Sequence, residues 1–163
     1  MSHCFQIDPN HPEIQGLPNV LAAYRKMASE VKMAGPTCFA PVFNKTIELI
    51  EREARNDMYY ILMILTDGEV HDMKETIEAI VKISNKNLPV SVIICGIGHS
   101  DFANMVRLDG DDLCVAEGAK DIIQFVKFNE IVKQSEPGKL KENLAAVVLE
   151  EVPEQLVECL KKR

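Results

Sequence analysis

Apolar residues along the chain follow two patterns, one with helical spacing and one of short continuous runs. Spacings of three and four residues predict amphipathic helices, and unbroken runs rich in Ile, Leu and Val predict strands that are covered on both faces. The predicted helices span residues 17–32, 39–55, 72–85, 101–110, 140–150 and 153–162, and the predicted strands span residues 58–65, 88–98, 113–116 and 121–128. The alternation of strands with helices predicts an α/β fold with a parallel sheet.

The apolar run of residues 58–65 ends abruptly on Thr66, Asp67 and Gly68. In parallel sheets, ligands bind beyond the carboxyl ends of the strands. The next long apolar run ends in a similar way, just before His99. An Asp-Gly pair after a strand is nevertheless a frequent turn. The residues alone therefore leave two interpretations of Asp67, a turn residue or part of a binding site.

Composition and charge narrow the class of protein. The 163 residues are 47% hydrophobic and 26% charged, which is typical of one globular domain. The net charge of -7 argues against a nucleic-acid partner, because a phosphate-binding surface requires clustered Lys and Arg. The sequence has no apolar run long enough to cross a bilayer, and its N-terminus lacks the pattern of a signal peptide. We therefore expect a cytoplasmic protein.

Five cysteines are scattered through the chain: Cys4, Cys38, Cys95, Cys114 and Cys159. They include no C-x-x-C pair, which favours reduced thiols over a disulfide scaffold or a zinc site. Cys95 lies within an apolar run and is expected to fill the core. A cysteine nucleophile would need a histidine neighbour in space, and no spacing in the sequence identifies one.

Six longer motifs follow one another along the chain. They read AGPTCFAP (34–41), ILTDGEVHD (64–72), GIGHSDF (96–102), LDGDD (108–112), DIIQFVKF (121–128) and LAAVVLEEVPEQLVECL (144–160). In this order they closely resemble the C-terminal domain of the copines, a module similar to the von Willebrand factor A domain. The resemblance covers nearly the whole chain. It implies a doubly wound, mostly parallel sheet that lacks its first strand or strands, with residues 1–163 forming the C-terminal portion of the domain.

The resemblance also implies a metal-ion-dependent adhesion site at the carboxyl edge of the sheet. In such sites three loops hold one divalent cation, here Mg²⁺ with Mn²⁺ or Ca²⁺ as alternatives. The family's ligands that match this sequence are Thr37 in GPT and Asp67 in TDG. The D-x-[ST]-x-S loop, which supplies most of the ligands, does not occur in this sequence. Metal binding is therefore expected to be weak or absent.

The resemblance further implies a non-catalytic module that binds a protein partner, through an acidic residue of that partner, at the carboxyl edge of the sheet. Copines bind phospholipid in response to calcium through two C2 domains. This sequence has no counterpart of them, so membrane recruitment is expected only of the parent protein. A missing first strand would leave residues 58–65 with an unpaired edge, and we therefore expect self-association.

A second interpretation makes the chain a phosphohydrolase-like α/β enzyme that uses Asp67. Aspartate-nucleophile phosphohydrolases carry a D-x-D-G-T loop after a buried strand, but Leu65 stands at the nucleophile position here. A ubiquitin-ligase role, as in copine-like proteins joined to a RING finger, would need a Cys/His array for two zinc ions that this sequence lacks. The interaction module is therefore the favoured interpretation.

Several other polar residues are expected to have ordinary structural roles. His71 and His99 are expected at the surface, and the acidic stretch 108–113 is expected to form a turn, because it lacks the spacing and final Glu of a calcium-binding EF-hand loop. Asp72 is expected to be the cap or first-turn acid of the helix that follows it. Three methionines are expected in the core: Met58, Met63 and Met73.

Overall fold

The computed structural model of the chain describes residues 3–8, 10, 12–32, 35–53, 57–110 and 120–162. The helices in these ranges are α1 (Leu17–Glu30), α2 (Ala40–Glu53), α3 (Met73–Asn85), α4 (Ala103–Asp109), α5 (Phe128–Gln134), α6 (Leu140–Val148) and α7 (Val152–Lys161). The strands are β1 (Tyr60–Thr66), β2 (Val90–Gly96) and β3 (Ile123–Lys127). The predicted α/β class is confirmed.

Helix α5 is the element that the hydrophobic pattern did not predict. The apolar run 121–128 predicts a single strand, whereas the chain passes from β3 directly into α5 at Phe128. An apolar run does not show where a strand ends if the next helix also begins with an apolar residue. The predicted strand 113–116, Cys114 and the second half of the acidic stretch 108–113 lie outside the described residues.

The three strands form a parallel sheet in the order β1-β2-β3. In this register Leu62 is paired with Val92, and Val92 is paired with Ile123. Every residue of β2 is buried, because β2 has a strand on each side and helices on both faces. Its sequence, apolar apart from Ser91, is therefore that of a central parallel strand, as predicted.

One face of the sheet carries the main hydrophobic core. Alternate strand residues point to this face, including Leu62 from β1, Val92 and Ile94 from β2, and Ile123 from β3. They pack against buried side chains from α2, α3 and α4, among them Phe43, Ile47, Ile50, Ile80, Ile83, Met105 and Leu108. Helices α2, α3 and α4 therefore form the helical layer on this face, which we call the core face.

The opposite face of the sheet is covered by α5, α6 and α7. Ile93 of β2 and Val126 of β3 pack there against Ile131 of α5 and Val148 of α6. Helix α7 adds a polar contact, because the Ser91 hydroxyl donates a hydrogen bond to the Gln155 side chain at 2.6 Å. Together these contacts cover β2 and β3 on the second face.

Strand β1 corrects the prediction that residues 58–65 are buried on both faces. The exposed fractions of Ile61, Met63 and Leu65 are 50%, 53% and 63%. Within the described ranges β1 pairs only with β2, and the helices of the second face lie over β2 and β3. The expected core position of Met63 is therefore wrong. The location of β1 at the edge of the described sheet agrees with the expectation of an unpaired edge.

The segments before α2 contribute little to either core. Residues 3–8 form no strand, and Cys4 lies beside β1 and α2 in a shallow groove lined by Val42, Leu49 and Ile61. Helix α1 has no buried residue, although its apolar side chains recur at helical spacing. In the part of the chain that the structure describes, no helix combines the length and apolar character required to span a bilayer.

Candidate functional site at the carboxyl edge of the sheet

Two loops leave the carboxyl ends of β1 and β2 and contact each other. The backbone N–H of Ile97 donates a hydrogen bond to the carbonyl oxygen of Thr66 at 2.8 Å. A Cβ atom placed on Gly68 would lie 3.4 Å from both Cβ and Oγ of Ser100. The parallel direction of the strands explains this contact, since their carboxyl ends meet at the same edge. The loop after β1 is thus flanked by the loop after β2.

A third loop, which precedes α2 and contains Thr37, is joined to the loop after β1 by two hydrogen bonds, one to the side chain of His71 and one between backbone groups. The N–H of Thr37 donates to Nδ1 of His71 at 3.2 Å. In return, the N–H of His71 donates to the carbonyl oxygen of Thr37 at 2.9 Å. This reciprocal pair places Thr37 against the loop that begins with Asp67.

Asp72 adds a second and stronger link between these two loops. Its carboxylate oxygens accept hydrogen bonds from the backbone N–H groups of Phe39 and Ala40, each at 2.9 Å, and from the Thr76 hydroxyl at 3.2 Å. Phe39 and Ala40 stand at the start of α2, where helix N–H groups have no partner within the helix. Asp72 occupies the N-cap position of α3, as expected, but its carboxylate caps α2 and makes no side-chain cap hydrogen bond to α3.

One feature of the sequence indicates that α2 needs a cap from a distant residue such as Asp72. The residue just before α2 is Phe39, an apolar side chain that cannot accept a hydrogen bond, so α2 lacks a local cap. A buried helix start without a local cap requires an acceptor from elsewhere in the fold. The sequence alone could not identify that acceptor, because Asp72 lies more than thirty residues away.

The two side chains predicted as metal ligands, Thr37 and Asp67, are both exposed at this edge. Their loops are held together by the hydrogen bonds of His71 and Asp72. A hydroxyl and a carboxylate are hard oxygen donors of the kind that Mg²⁺ prefers. Within the described ranges, no group of three or more His, Cys, Asp or Glu side chains is arranged to hold a metal ion. The edge thus offers suitable donor atoms but few of them.

Among the described groups at this edge, the Cys38 thiol is poorly suited to act as a nucleophile. His71 and His99 are exposed, as expected from the sequence. Partial burial raises the pKa of the Cys38 thiol, and the nearby carboxylates of Asp72 and Glu75 raise it further. Because the thiolate is the reactive form, this environment disfavours Cys38 as a nucleophile. Leu65 lies on the exposed face of β1, next to Thr66.

Comparison with known proteins identifies relatives over the whole chain. The family model described as Copine matches residues 1–163. Copine-E of Dictyostelium discoideum is 40% identical over 171 aligned positions, which cover 99% of this chain and 28% of that protein. The chain therefore spans little more than a quarter of the length of this relative. Because the family model matches the full length of the chain, the chain belongs to the copine family.

Proposed function

We propose that this chain is a non-catalytic protein-interaction module of the copine type, which binds a protein partner at the carboxyl edge of its sheet. The observation that carries the proposal is the reciprocal hydrogen-bonded pair of Thr37 and His71. This pair and the Asp72 cap hold an exposed hydroxyl and an exposed carboxylate on adjoining loops. Such a preorganised edge suits recognition of a partner, because little loop ordering is left to occur on binding.

The proposal includes a divalent cation, Mg²⁺ with Mn²⁺ or Ca²⁺ as substitutes, held by Thr37 and Asp67. The two protein donors carry a single negative charge between them, so the bound ion would remain electrophilic. Water molecules and an acidic side chain of the partner would supply its remaining ligands. The partner is therefore proposed to contribute a carboxylate, and the cation would offset its repulsion from a chain with a net charge of -7.

Metal binding by the chain alone is expected to be weak. With one carboxylate to offset the dehydration of the ion, we expect a dissociation constant of about 1 mM or weaker for Mg²⁺ and Mn²⁺. The measurement is a Mn²⁺ titration of the ¹⁵N-labelled chain, in which the paramagnetic ion broadens the amide signals nearest to it. Broadening is expected around Thr37 and Asp67, and Asp67→Asn is expected to abolish it.

Glu69→Gln is the matched control, because Glu69 is an exposed carboxylate on the same loop as Asp67. It should leave the broadening pattern unchanged. Broadening confined to the acidic groove lined by Asp121, Glu154 and Glu158 would contradict the proposed site. Low-micromolar affinity that disappears in Asp67→Ala would instead show that binding is stronger than two ligands predict.

The same proposal predicts that the chain has no phosphatase or esterase activity. Leu65 occupies the position of the nucleophile in aspartate-dependent phosphohydrolases, and an alkyl side chain cannot attack phosphorus. Release of nitrophenol from nitrophenyl phosphate and nitrophenyl acetate should equal the buffer rate at several pH values. Turnover that is lost in Asp67→Ala and retained in Glu69→Ala would favour the enzymatic interpretation.

The role of this module in a longer protein is also a proposal. We place it in the cytoplasm, as part of a calcium-dependent phospholipid-binding protein whose membrane contact is made by C2 domains outside this chain. The net charge of -7 supports a protein partner and not a nucleic acid. Self-association of the chain through the exposed edge of β1 belongs to the same proposal.

A further inference from the structure

The loop that follows β2 is anchored to the start of α5 by one side chain. The amide nitrogen of Asn129 donates a hydrogen bond to the carbonyl oxygen of Gly98 at 2.9 Å and a longer one to Nε2 of His99 at 3.4 Å. Asn129 is the second residue of α5, which follows directly from β3. The His99 side chain is exposed. Asn129 therefore holds an exposed imidazole at the carboxyl edge of the sheet.

These two hydrogen bonds determine which ring nitrogen of His99 carries the proton. The nitrogen of the Asn129 amide, and not its oxygen, faces the Gly98 carbonyl, because two facing oxygens would repel each other. The same amide nitrogen lies next to Nε2 of His99 and cannot accept a hydrogen bond. Nε2 is therefore the acceptor, and Nδ1 of the neutral ring carries the N–H. Among the described residues this N–H has no hydrogen-bond partner, so it is a donor for a ligand.

The loop that carries His99 adjoins the loop that carries Asp67. A Cβ atom on Gly68 would lie 3.4 Å from Cβ and Oγ of Ser100, so these two residues are in contact. His99 precedes Ser100 in the sequence, and Asp67 precedes Gly68. The Cα atoms of His99 and Asp67 are therefore no more than about 14 Å apart, because neighbouring Cα atoms are separated by about 3.8 Å. About four residues of an extended peptide cover this span.

The loop after β2 is separated from the unpaired edge of the sheet. Strand β2 lies between β1 and β3, so a strand added beside β1 would lie on the side away from β2. Residues 97–101 contain no Lys or Arg, and His99 provides the only nitrogen donor among their side chains. Hydrogen bonding by this loop to a negatively charged ligand therefore depends on His99.

We infer that the Nδ1–H of His99 binds a second carboxylate of the protein partner, close to the carboxylate proposed to complete the coordination of the cation. This inference rests on the proposed function, because it takes the carboxyl edge as the partner-binding surface. The N–H offers the carboxylate a charge-assisted hydrogen bond, in a chain whose net charge of -7 repels acidic ligands elsewhere. The edge would then select an acidic segment with two nearby carboxylates over a segment with one.

The first measurement tests the hydrogen bonds of His99 without metal or ligand. Long-range ¹H–¹⁵N correlation NMR distinguishes the two neutral forms of a histidine ring, here in EDTA and above neutral pH, where the ring is uncharged. His99 is expected in the Nδ1–H form in the unmodified chain. In Asn129→Ala the Nε2–H form should become the major one, because the donor to Nε2 is lost. A predominant Nε2–H form in the unmodified chain would overturn the inference, whether or not the edge binds metal.

The second measurement follows peptide binding by chemical-shift changes of the ¹⁵N-labelled chain in the presence of Mg²⁺. The probes are acetyl-Glu-Glu-Glu-amide and acetyl-Gln-Glu-Gln-amide, which have equal length and differ in the number of carboxylates. His99→Ala is expected to weaken binding of the triacidic peptide about three- to tenfold and to leave the monoacidic peptide unaffected. His99→Asn should restore most of the loss, because its amide nitrogen reaches the position of Nδ1. His3→Ala, at an exposed histidine of the N-terminal segment, is the control and should change neither affinity.

The outcomes separate this inference from the proposed function. Equal affinity of His99→Ala and the unmodified chain for the triacidic peptide would overturn the inference alone, while shift changes around Thr37 and Asp67 would still support the proposed binding edge. An equal loss of affinity for both peptides in His99→Ala would also overturn the inference, because it would indicate a structural role of the ring. If neither peptide changes any signal of the unmodified chain, the inference and the proposed function both fail.

Discussion

Replacing Asp72 with alanine is expected to lower the free energy of unfolding by about 2–4 kcal/mol, since the substitution removes a charged helix cap and leaves two amides without an acceptor. The affected N–H groups belong to Phe39 and Ala40, whose residues are both buried, so water replaces the lost bonds poorly. The measurement is equilibrium unfolding by urea. Asn has the same shape as Asp but only one accepting oxygen. We therefore expect Asp72→Asn to lower the free energy of unfolding by less than Asp72→Ala does.

Hydrogen exchange separates this specific effect from general destabilisation. In Asp72→Ala the amide protons of Phe39 and Ala40 should exchange faster than the other amides of α2, because the helix start frays before the helix unfolds. Glu69→Ala, at an exposed carboxylate of the same loop, is the control and should change stability by no more than about 0.5 kcal/mol. Equal stability of Asp72→Ala and Glu69→Ala would refute the capping role.

Replacing Gly96 with alanine is the second substitution with a large expected effect. A Cβ atom at Gly96 would lie 2.8 Å from Cε1 and 3.0 Å from Cδ1 of the Phe102 ring, which is closer than carbon atoms approach in folded proteins. The ring cannot move away freely, because Phe102 is 6% exposed and packs against Phe125 with ring centroids 5.6 Å apart. We expect a loss of about 1–3 kcal/mol, the usual cost of overpacking.

A double-mutant cycle tests the proposed cause of this loss. Phe102→Leu shortens the side chain that meets the new methyl group, so Gly96→Ala should cost less in the Phe102→Leu background than in the unmodified chain. The expected coupling between the two substitutions is on the order of 1 kcal/mol. Additive effects of the two substitutions would show that the loss at Gly96 arises from the backbone and not from contact with the ring.

At the carboxyl edge of the sheet, some features follow from neighbouring residues in the sequence, whereas others depend on contacts between residues far apart in the sequence. The TDG sequence after an apolar run placed Asp67 at a strand end, and the resemblance to copines selected Thr37 as its companion. No spacing in the sequence could show that His71 and Asp72 join these two loops. Both links connect residues more than thirty positions apart, so they exist only after β1, α2 and α3 have packed together.

Periodicity alone was sufficient for the class of the fold, for most of the helices and for β2, because the side-chain pattern of an element depends on neighbouring residues of the same element. It could not distinguish β1 from β2, since both are strongly apolar runs without strict alternation. Whether such a run is buried on both faces depends on which strands and helices lie beside it. Tertiary packing covers both faces of β2. In the described part of the chain the second-face core lies over β2 and β3, and Ile61, Met63 and Leu65 of β1 are left exposed.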